Sequence, residues 1–120
     1  MHFACNLSDL TERKPYIVTI NDTDIGVIFV DNEIHAYENF CPHEGGPVCL
    51  GDIFGRIKVQ LGENKEVIKE YVDDSEPSLV CPWHGYEYDV KTGVCVADNK
   101  ISLKKFPTQV EDGKVYILDL

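Results

Sequence analysis

Short runs of apolar and β-branched residues, separated by turn residues, recur along the first part of the chain. Tyr16–Ile20 and Ile25–Val30 are two such runs, and Asn21–Asp24 lies between them. Ile34–Tyr37 then alternates apolar with polar positions, and the turn dipeptide Asp31-Asn32 precedes it. Two extended runs around a tight turn predict a β-hairpin here.

A second hairpin is predicted near the end of the chain. Ile101–Leu103 and Phe106–Val110 are extended in character, and Val115–Leu118 follows the turn Glu111–Gly113. Helical periodicity is limited to one short turn, which we expect within Ser8–Lys14. The pattern as a whole predicts an all-β domain, either a compact sandwich or a small barrel.

The middle of the chain differs from both ends. Arg56–Ser78 is rich in charge and contains the turn residues Gly62–Lys65. Ile57–Val59 and Val67–Lys69 flank that turn, so the segment predicts either an exposed hairpin or a mobile loop.

Size and charge limit the functions that the chain can have. With 120 residues and 43% hydrophobic residues, it is expected to fold as one domain, residues 1–120. The net charge of −10 argues against binding nucleic acid or an anionic membrane surface, and it favours a basic protein partner. The first ten residues contain neither a basic stretch nor a long apolar run, so we expect a cytoplasmic protein.

Two short motifs carry candidate metal chemistry: Cys41-Pro42-His43 and Cys81-Pro82-Trp83-His84. Each places one thiolate and one imidazole within a few residues of a Gly/Pro-rich turn. Two sulfur and two nitrogen donors suit either a tetrahedral zinc ion or a two-iron cluster. Zinc fingers usually keep like ligands together, whereas each turn here mixes them. The spacing alone leaves both metals open.

The residues around these motifs are suited to a stiff, closely packed site. Proline after each cysteine fixes φ and removes a local N–H. Gly45, Gly46 and Gly85 let the main chain approach closely, and their N–H groups are available to sulfur. Trp83 and Pro47 are expected to shield the site from water.

The pattern Cys-x-His … Cys-x₂-His, followed by Gly85, Tyr88-Asp89 and Thr92-Gly93, resembles the Rieske iron–sulfur family. Within that family it is most similar to the soluble Rieske-type ferredoxins. The resemblance implies three small antiparallel sheets and a two-loop cluster-binding subdomain at about residues 40–97, with a charged insertion at about 56–78. It implies one [2Fe–2S] cluster, with Cys41 and Cys81 on the inner iron and His43 and His84 on the outer iron.

The chain departs from the respiratory-chain members of this family. Those members join the two loops by a disulfide, and Gly46 and Trp83 occupy the matching positions here. Tyr86 stands where they have a serine, while Tyr88 matches a tyrosine that donates to a ligand sulfur. Because fewer hydroxyl groups are available to donate to the cluster, we expect a reduction potential of about −150 mV. The 37 residues between His43 and Cys81 are about twice the usual family spacing.

The resemblance implies a one-electron carrier, not an enzyme, that takes electrons from a reductase and passes them to an oxygenase or similar oxidoreductase. One alternative is a permanent small Rieske subunit of a larger enzyme, such as a nitrite reductase. Another is a zinc-stabilised interaction module. The chain shows no nucleotide-binding glycine fingerprint and no two-histidine, one-carboxylate iron motif. Cys5, Cys49 and Cys95 are expected to be small buried hydrophobic residues.

Overall fold

The computed structural model describes residues 1–42, 45–83 and 85–120, with residue 57 described by its main chain alone. Over these residues the chain is almost entirely β-structure, apart from short 3₁₀ turns at Leu7–Asp9 and Val48–Leu50. The described residues form three antiparallel sheets, so the predicted fold class is confirmed. None of them belongs to a helix with the length and apolar character that crossing a membrane requires.

The third sheet adjoins both candidate ligand motifs: the chain enters the first motif from strand 33–38 of the second sheet and continues to strand 52–61 of the third, and the second motif joins strands 67–80 and 87–89 of the third sheet. The sheets have the orders β1-β10-β9, β2-β3-β4-β8 and β5-β6-β7. In chain order, the strands are β1 (His2–Asn6), β2 (Tyr16–Ile20), β3 (Thr23–Val30), β4 (Glu33–Glu38), β5 (Asp52–Leu61), β6 (Val67–Val80), β7 (Glu87–Asp89), β8 (Lys105–Phe106), β9 (Thr108–Glu111) and β10 (Lys114–Ile117).

Strand β3 separates two hydrophobic cores. Because side chains alternate across a strand, Ile25 and Val27 face one core while Ile28 and Val30 face the other. Burial on both faces explains why this strand is a continuous apolar run. We call the core of Ile28 and Val30 the site core, since it also contains the two candidate ligand cysteines.

Tight two-residue turns join the hairpins as predicted. Both Asp31 and Asn32 have positive φ, and so do Asp112 and Gly113. This is the conformation that matches the twist of the flanking strands and favours Asn, Asp and Gly. The turn between β2 and β3 is shorter than expected, because it contains only Asn21 and Asp22 and the strand resumes at Thr23.

Several element boundaries differ from the prediction. The run 106–110 is divided because Pro107 has no N–H to donate to a ladder, so β8 ends at Phe106 and β9 begins at Thr108. In 101–103, Ser102 forms an isolated bridge with Val94 instead of belonging to a strand. The short helical turn begins at Leu7, one residue earlier than expected.

The charged middle segment forms an extended β-hairpin, which we call the arm (residues 52–80, strands β5 and β6). Its two strands pair from Asp52–Val80 to Leu61–Val67. An ion pair and a hydrogen bond brace the arm: Lys58 Nζ lies 2.7 Å from Asp73 Oδ2, and Arg13 donates to the main-chain carbonyl of Asp74 at 2.6 Å. Of the two interpretations that the sequence left open, the structure shows the hairpin.

Gly26 brings strand β3 close to the 3₁₀ turn that follows the first cysteine motif. A Cβ atom at Gly26 would lie 2.4 Å from Cys49 Sγ and 2.5 Å from Cys49 Cβ. The Cys49 N–H also donates to Asn39 Oδ1 at 2.8 Å, which holds the turn in place. The absence of a side chain at Gly26 therefore sets how closely the site packs on the central sheet.

We expect Gly26→Ala to lower the free energy of unfolding by about 1–3 kcal/mol, because the added methyl overpacks the core against Cys49. Urea denaturation measures the change. The double variant Gly26→Ala/Cys49→Ala should recover part of the loss, since it removes Sγ, one of the two Cys49 atoms with which the new methyl collides. If the losses in free energy of unfolding of the two single variants simply add in the double variant, this explanation is wrong.

His35 is a buried polar residue on β4, with 6% of its surface exposed. Its Nδ1 accepts a hydrogen bond from Lys105 Nζ at 3.2 Å, and its Nε2 has no hydrogen-bond partner among the described residues. Burial, together with the positive charges of Lys105 and Lys91, lowers the pKa of His35, although Glu33 opposes the shift. The ring is therefore neutral at pH 7.

Stability is expected to fall as the pH decreases below about 6.5, the ordinary pKa of histidine. The unfolded chain binds a proton there, whereas the folded chain resists it until the pH reaches the lowered pKa of His35. Urea-denaturation midpoints measured from pH 7 to pH 5 test this expectation. His35→Gln keeps an acceptor for Lys105 but does not titrate, so its midpoint should fall less over this range. An equal fall in both proteins would contradict the assignment.

Candidate metal centre

The two cysteine motifs lie in loops that are closed by the same pair of main-chain hydrogen bonds. In the first loop (residues 41–46), the Cys41 N–H donates to the Gly46 carbonyl at 2.8 Å, and the Gly45 N–H donates to the Cys41 carbonyl at 2.7 Å. In the second loop (residues 81–86), the Cys81 N–H donates to the Tyr86 carbonyl at 2.8 Å. There the Gly85 N–H donates to the Cys81 carbonyl at 3.0 Å.

The fifth residue of each loop must be glycine for conformational reasons. Gly45 has φ of 77° and Gly85 has φ of 71°, a region that residues with a side chain adopt only at a cost. The closing hydrogen bonds and the glycines thus match between the two loops, although the second motif has one more residue between its cysteine and histidine. Each loop thus presents its cysteine at the same point of the same turn.

Both candidate ligand cysteines are buried side by side in the site core. Cys41 and Cys81 are each 2% exposed, and both belong to the cluster of packed side chains that surrounds Tyr88. Both lie close enough to Tyr88 that a negative charge on either sulfur would raise the pKa of its hydroxyl. The structure therefore brings the two predicted sulfur ligands together.

Tyr88 is fully buried, and its hydroxyl lies 3.1 Å from Cys41 Sγ. Burial, followed by the hydrogen bond to Cys41, raises the pKa of Tyr88 well above its usual range. The hydroxyl therefore keeps its proton and is able to donate it to Cys41 Sγ when that sulfur is a ligand thiolate. The predicted role of Tyr88 as a donor to a ligand sulfur agrees with this geometry.

The remaining predicted site residues are accounted for as follows. Gly46 lies against the indole ring of Trp83, Gly85 closes the second loop, and Tyr86 supplies the carbonyl that accepts the Cys81 N–H. His43 and His84 lie outside the described residues. Among residues 1–42, 45–83 and 85–120, no group of three or more His, Cys, Asp or Glu side chains is placed to hold a metal ion.

The other three cysteines behave as buried thiols. Cys5, Cys49 and Cys95 are between 2% and 3% exposed, and none of the five cysteines forms a disulfide. Burial raises the pKa of Cys49 to about 12 and that of Cys5 to about 11, so both stay protonated and unreactive at neutral pH.

Sequence analysis missed two supports of the site. Phe40 covers the first loop, because a Cβ atom at Gly45 would lie 3.1 Å from its ring. Arg56 pairs with Asp89 at 2.9 Å and so ties the base of the arm to β7, the strand that carries Tyr88. The exposed aromatic residue directly before Cys41 was a usable signal for the first support. The second depends on strand register, which the sequence does not reveal.

The donor chemistry fits an iron–sulfur group. Two buried thiols at matching positions, with a hydroxyl donor at one sulfur, form a thiolate pocket that disfavours water and suits a soft-ligand metal. The fold and the site thus define a small all-β metalloprotein with a two-loop, cysteine-based centre.

The Rieske [2Fe–2S] domain family model matches residues 1–107. The chain belongs to this family and binds one [2Fe–2S] cluster, a group that supports one-electron transfer. Family membership favours the two-iron cluster over the zinc alternative.

Similar proteins include both ferredoxins and larger proteins. The chain is 26% identical over 115 residues to the ferredoxin component of the naphthalene 1,2-dioxygenase system of Pseudomonas putida, covering 95% of this chain and 90% of that one. It is 28% identical over 85 residues to a human Rieske domain-containing protein. That match covers 71% of this chain and 43% of the human protein, so the chain spans less than half of that relative.

Among solved structures, one described as the small subunit of an NADH-dependent nitrite reductase from Mycobacterium tuberculosis has the same fold. The TM-score is 0.72 at 18% identity, with 96% of this chain and 90% of that chain covered.

Tyr88→Phe is expected to lower the reduction potential by about 50 mV. Losing a donor to Cys41 Sγ removes stabilisation of the added electron. A net hydrogen bond of about 1 kcal/mol corresponds to a shift of this size in a one-electron couple. Redox titration followed by visible absorbance measures it. Tyr37→Phe is the matched control, because the Tyr37 hydroxyl donates to the Val90 carbonyl at 2.6 Å instead. An equal shift in both variants would rule out the specific bond.

Proposed function

We propose that the chain carries single electrons from a reductase to an oxygenase or similar oxidoreductase. Cys41 and Cys81 ligate one iron of its cluster, and His43 and His84 ligate the other. The observation that carries the proposal is the pair of matched loops, each opening with a buried cysteine. When bound, the cluster supplies one-electron reduction and reoxidation.

The chain's own residues position and tune this centre. The loop hydrogen bonds fix where each cysteine points, and Tyr88 stabilises negative charge on Cys41 by donating to its sulfur. The sulfur end faces the site core, since Cys41 and Cys81 are both buried. The proposal therefore assigns the histidine ligands to the end of the cluster that exchanges electrons with a partner.

The surface near the loops suits brief protein docking. Trp83 is 56% exposed, Phe40 is 52% exposed and Pro82 is also exposed, so apolar groups surround this end of the molecule. The net charge of −10 steers the chain toward a basic partner surface and away from nucleic acid and anionic membranes. A small interface of this kind fits a transient electron-transfer contact.

The ferredoxin component of a dioxygenase system supports an oxygenase as the electron acceptor. We further propose a cytoplasmic location, because none of the five cysteines forms a disulfide, which suits a reducing compartment. Residues 1–120 are proposed to form one Rieske domain, with a cluster-binding subdomain at about 40–97 and the arm as an extension of it.

The alternative, a permanent small subunit of a larger enzyme such as a nitrite reductase, is not favoured, because the likeness to the small-subunit structure at 18% identity concerns the fold alone. Size-exclusion chromatography of a source-cell extract distinguishes the two. A free carrier elutes apart from any larger enzyme, whereas a permanent subunit elutes with its enzyme.

Electron paramagnetic resonance of the dithionite-reduced protein tests the ligand assignment. We expect a signal with an average g value below that of a cluster with four cysteine ligands, because nitrogen ligands alter the reduced iron. His43→Ala and His84→Ala should each abolish this signal and the visible colour. His2→Ala, which lies on β1, should change neither. A colourless protein that binds zinc, or full retention of the signal in His84→Ala, would refute the assignment.

A further inference from the structure

The indole ring of Trp83, in the second loop, lies directly against Gly46 of the first loop. A Cβ atom at Gly46 would lie 2.9 Å from Trp83 Cδ2, 3.0 Å from Cγ and 3.1 Å from Cε3. These three atoms adjoin one another in the ring system, so the indole covers the glycine. The contact joins the two loops through residues that are 37 positions apart in sequence.

Gly46 is glycine because of this contact and not because of its main-chain conformation. The glycines with positive φ are Gly45, Gly85, Gly93 and Gly113 among the described residues, and Gly46 is not one of them. Alanine would thus be compatible with its backbone. Its carbonyl accepts the N–H groups of Cys41 and Val48, so the indole rests on the residue that closes the first loop.

One face of the indole is against the first loop, and the side chain still keeps 56% of its surface exposed. The indole ring of Trp83 therefore lies at the junction of the two loops, between the site core and solvent. Moving it away would separate the loops and admit water to the ends that carry the cysteines.

We propose that Trp83 and Gly46 form an interloop clasp that sets the separation of the two loops and slows loss of the cluster. Trp83 is in this respect a positioning residue, and the inference rests on the proposed function because it assumes that the cluster lies between the loops.

A double-mutant cycle in the cluster-loaded protein tests the clasp. The rate of cluster loss to an iron chelator is followed by the decay of visible absorbance in the wild type, Gly46→Ala, Trp83→Ala and the double variant. We expect each single variant to lose its cluster about tenfold faster, which is the typical worth of an aromatic contact. The double variant should be no faster than Trp83→Ala, because the added methyl has nothing left to displace. If Gly46→Ala speeds cluster loss by the same factor in the wild type and in Trp83→Ala, the proposal is overturned.

Two further variants separate the clasp from general damage. Trp83→Phe keeps an aromatic face over Gly46 and should retain most of the wild-type half-life. Phe3→Ala removes a ring of similar exposure, 52%, from β1 and should leave the rate of cluster loss unchanged. A rate for Trp83→Phe equal to that of Trp83→Ala would contradict a packing role.

The single tryptophan of the chain supplies a readout that needs no cluster. Gly46→Ala should shift its emission to longer wavelength, because the ring is displaced into water. A colourless protein that still shows this shift would refute the proposed function and leave the clasp supported. A coloured protein without the shift would support the proposed function and refute the clasp.

Discussion

The hydrogen bond from each loop's cysteine N–H to the carbonyl five residues later is the constraint that organises the site. It closes the loop, brings the fifth residue into a positive-φ conformation that glycine accepts readily, and fixes the direction of the cysteine side chain. Since the two loops share this closure, they present two sulfur atoms in equivalent ways from segments of different sequence. The tyrosine donor and the tryptophan–glycine contact both depend on loops already held in this shape.

The scaffold below the loops explains why they stay together. Strand β3 is buried on both faces, and the missing side chain at Gly26 lets the turn that follows the first loop pack directly on it. The second loop connects β6 to β7, and β7 carries Tyr88 back beneath Cys41. One loop is therefore fixed by contact with the central sheet and the other by the ladder of the third sheet. Tyr88 links the two attachments.

The sequence predicted the parts of this structure that follow from local chemistry. The turn dipeptides at 31–32 and 112–113 predicted their hairpins, because few residues other than Asn, Asp and Gly accept that conformation. The two Cys/His motifs predicted a paired-loop site, because each places a thiolate and an imidazole within a few residues of a Gly/Pro-rich turn. Strand β1 was missed because it pairs with β10 at the far end of the chain, and such non-local pairing leaves little trace in a short window.

Other features depended on tertiary contacts that no sequence pattern encodes. Arg56 was visible only as one charge in a charged segment, and its pairing with Asp89 follows from the register of three strands. Trp83 was expected to shield the site, but its resting place on Gly46 requires both loops to be in position. The histidines at 43 and 84 remain predictions from the motif.

The arm has a consequence for the order in which the protein assembles. Its strands pair from a short turn at residues 62–66 down to Asp52 opposite Val80, and these last residues adjoin the two cysteine loops. A hairpin can form residue by residue from its turn, so closing a long segment of chain becomes a series of small steps, each with a low entropic cost. Zipping of the arm would then deliver both thiol-bearing loops to the same place before any iron arrives. The arm increases the sequence separation of the ligands, yet its stepwise pairing lowers the entropic cost of bringing them together.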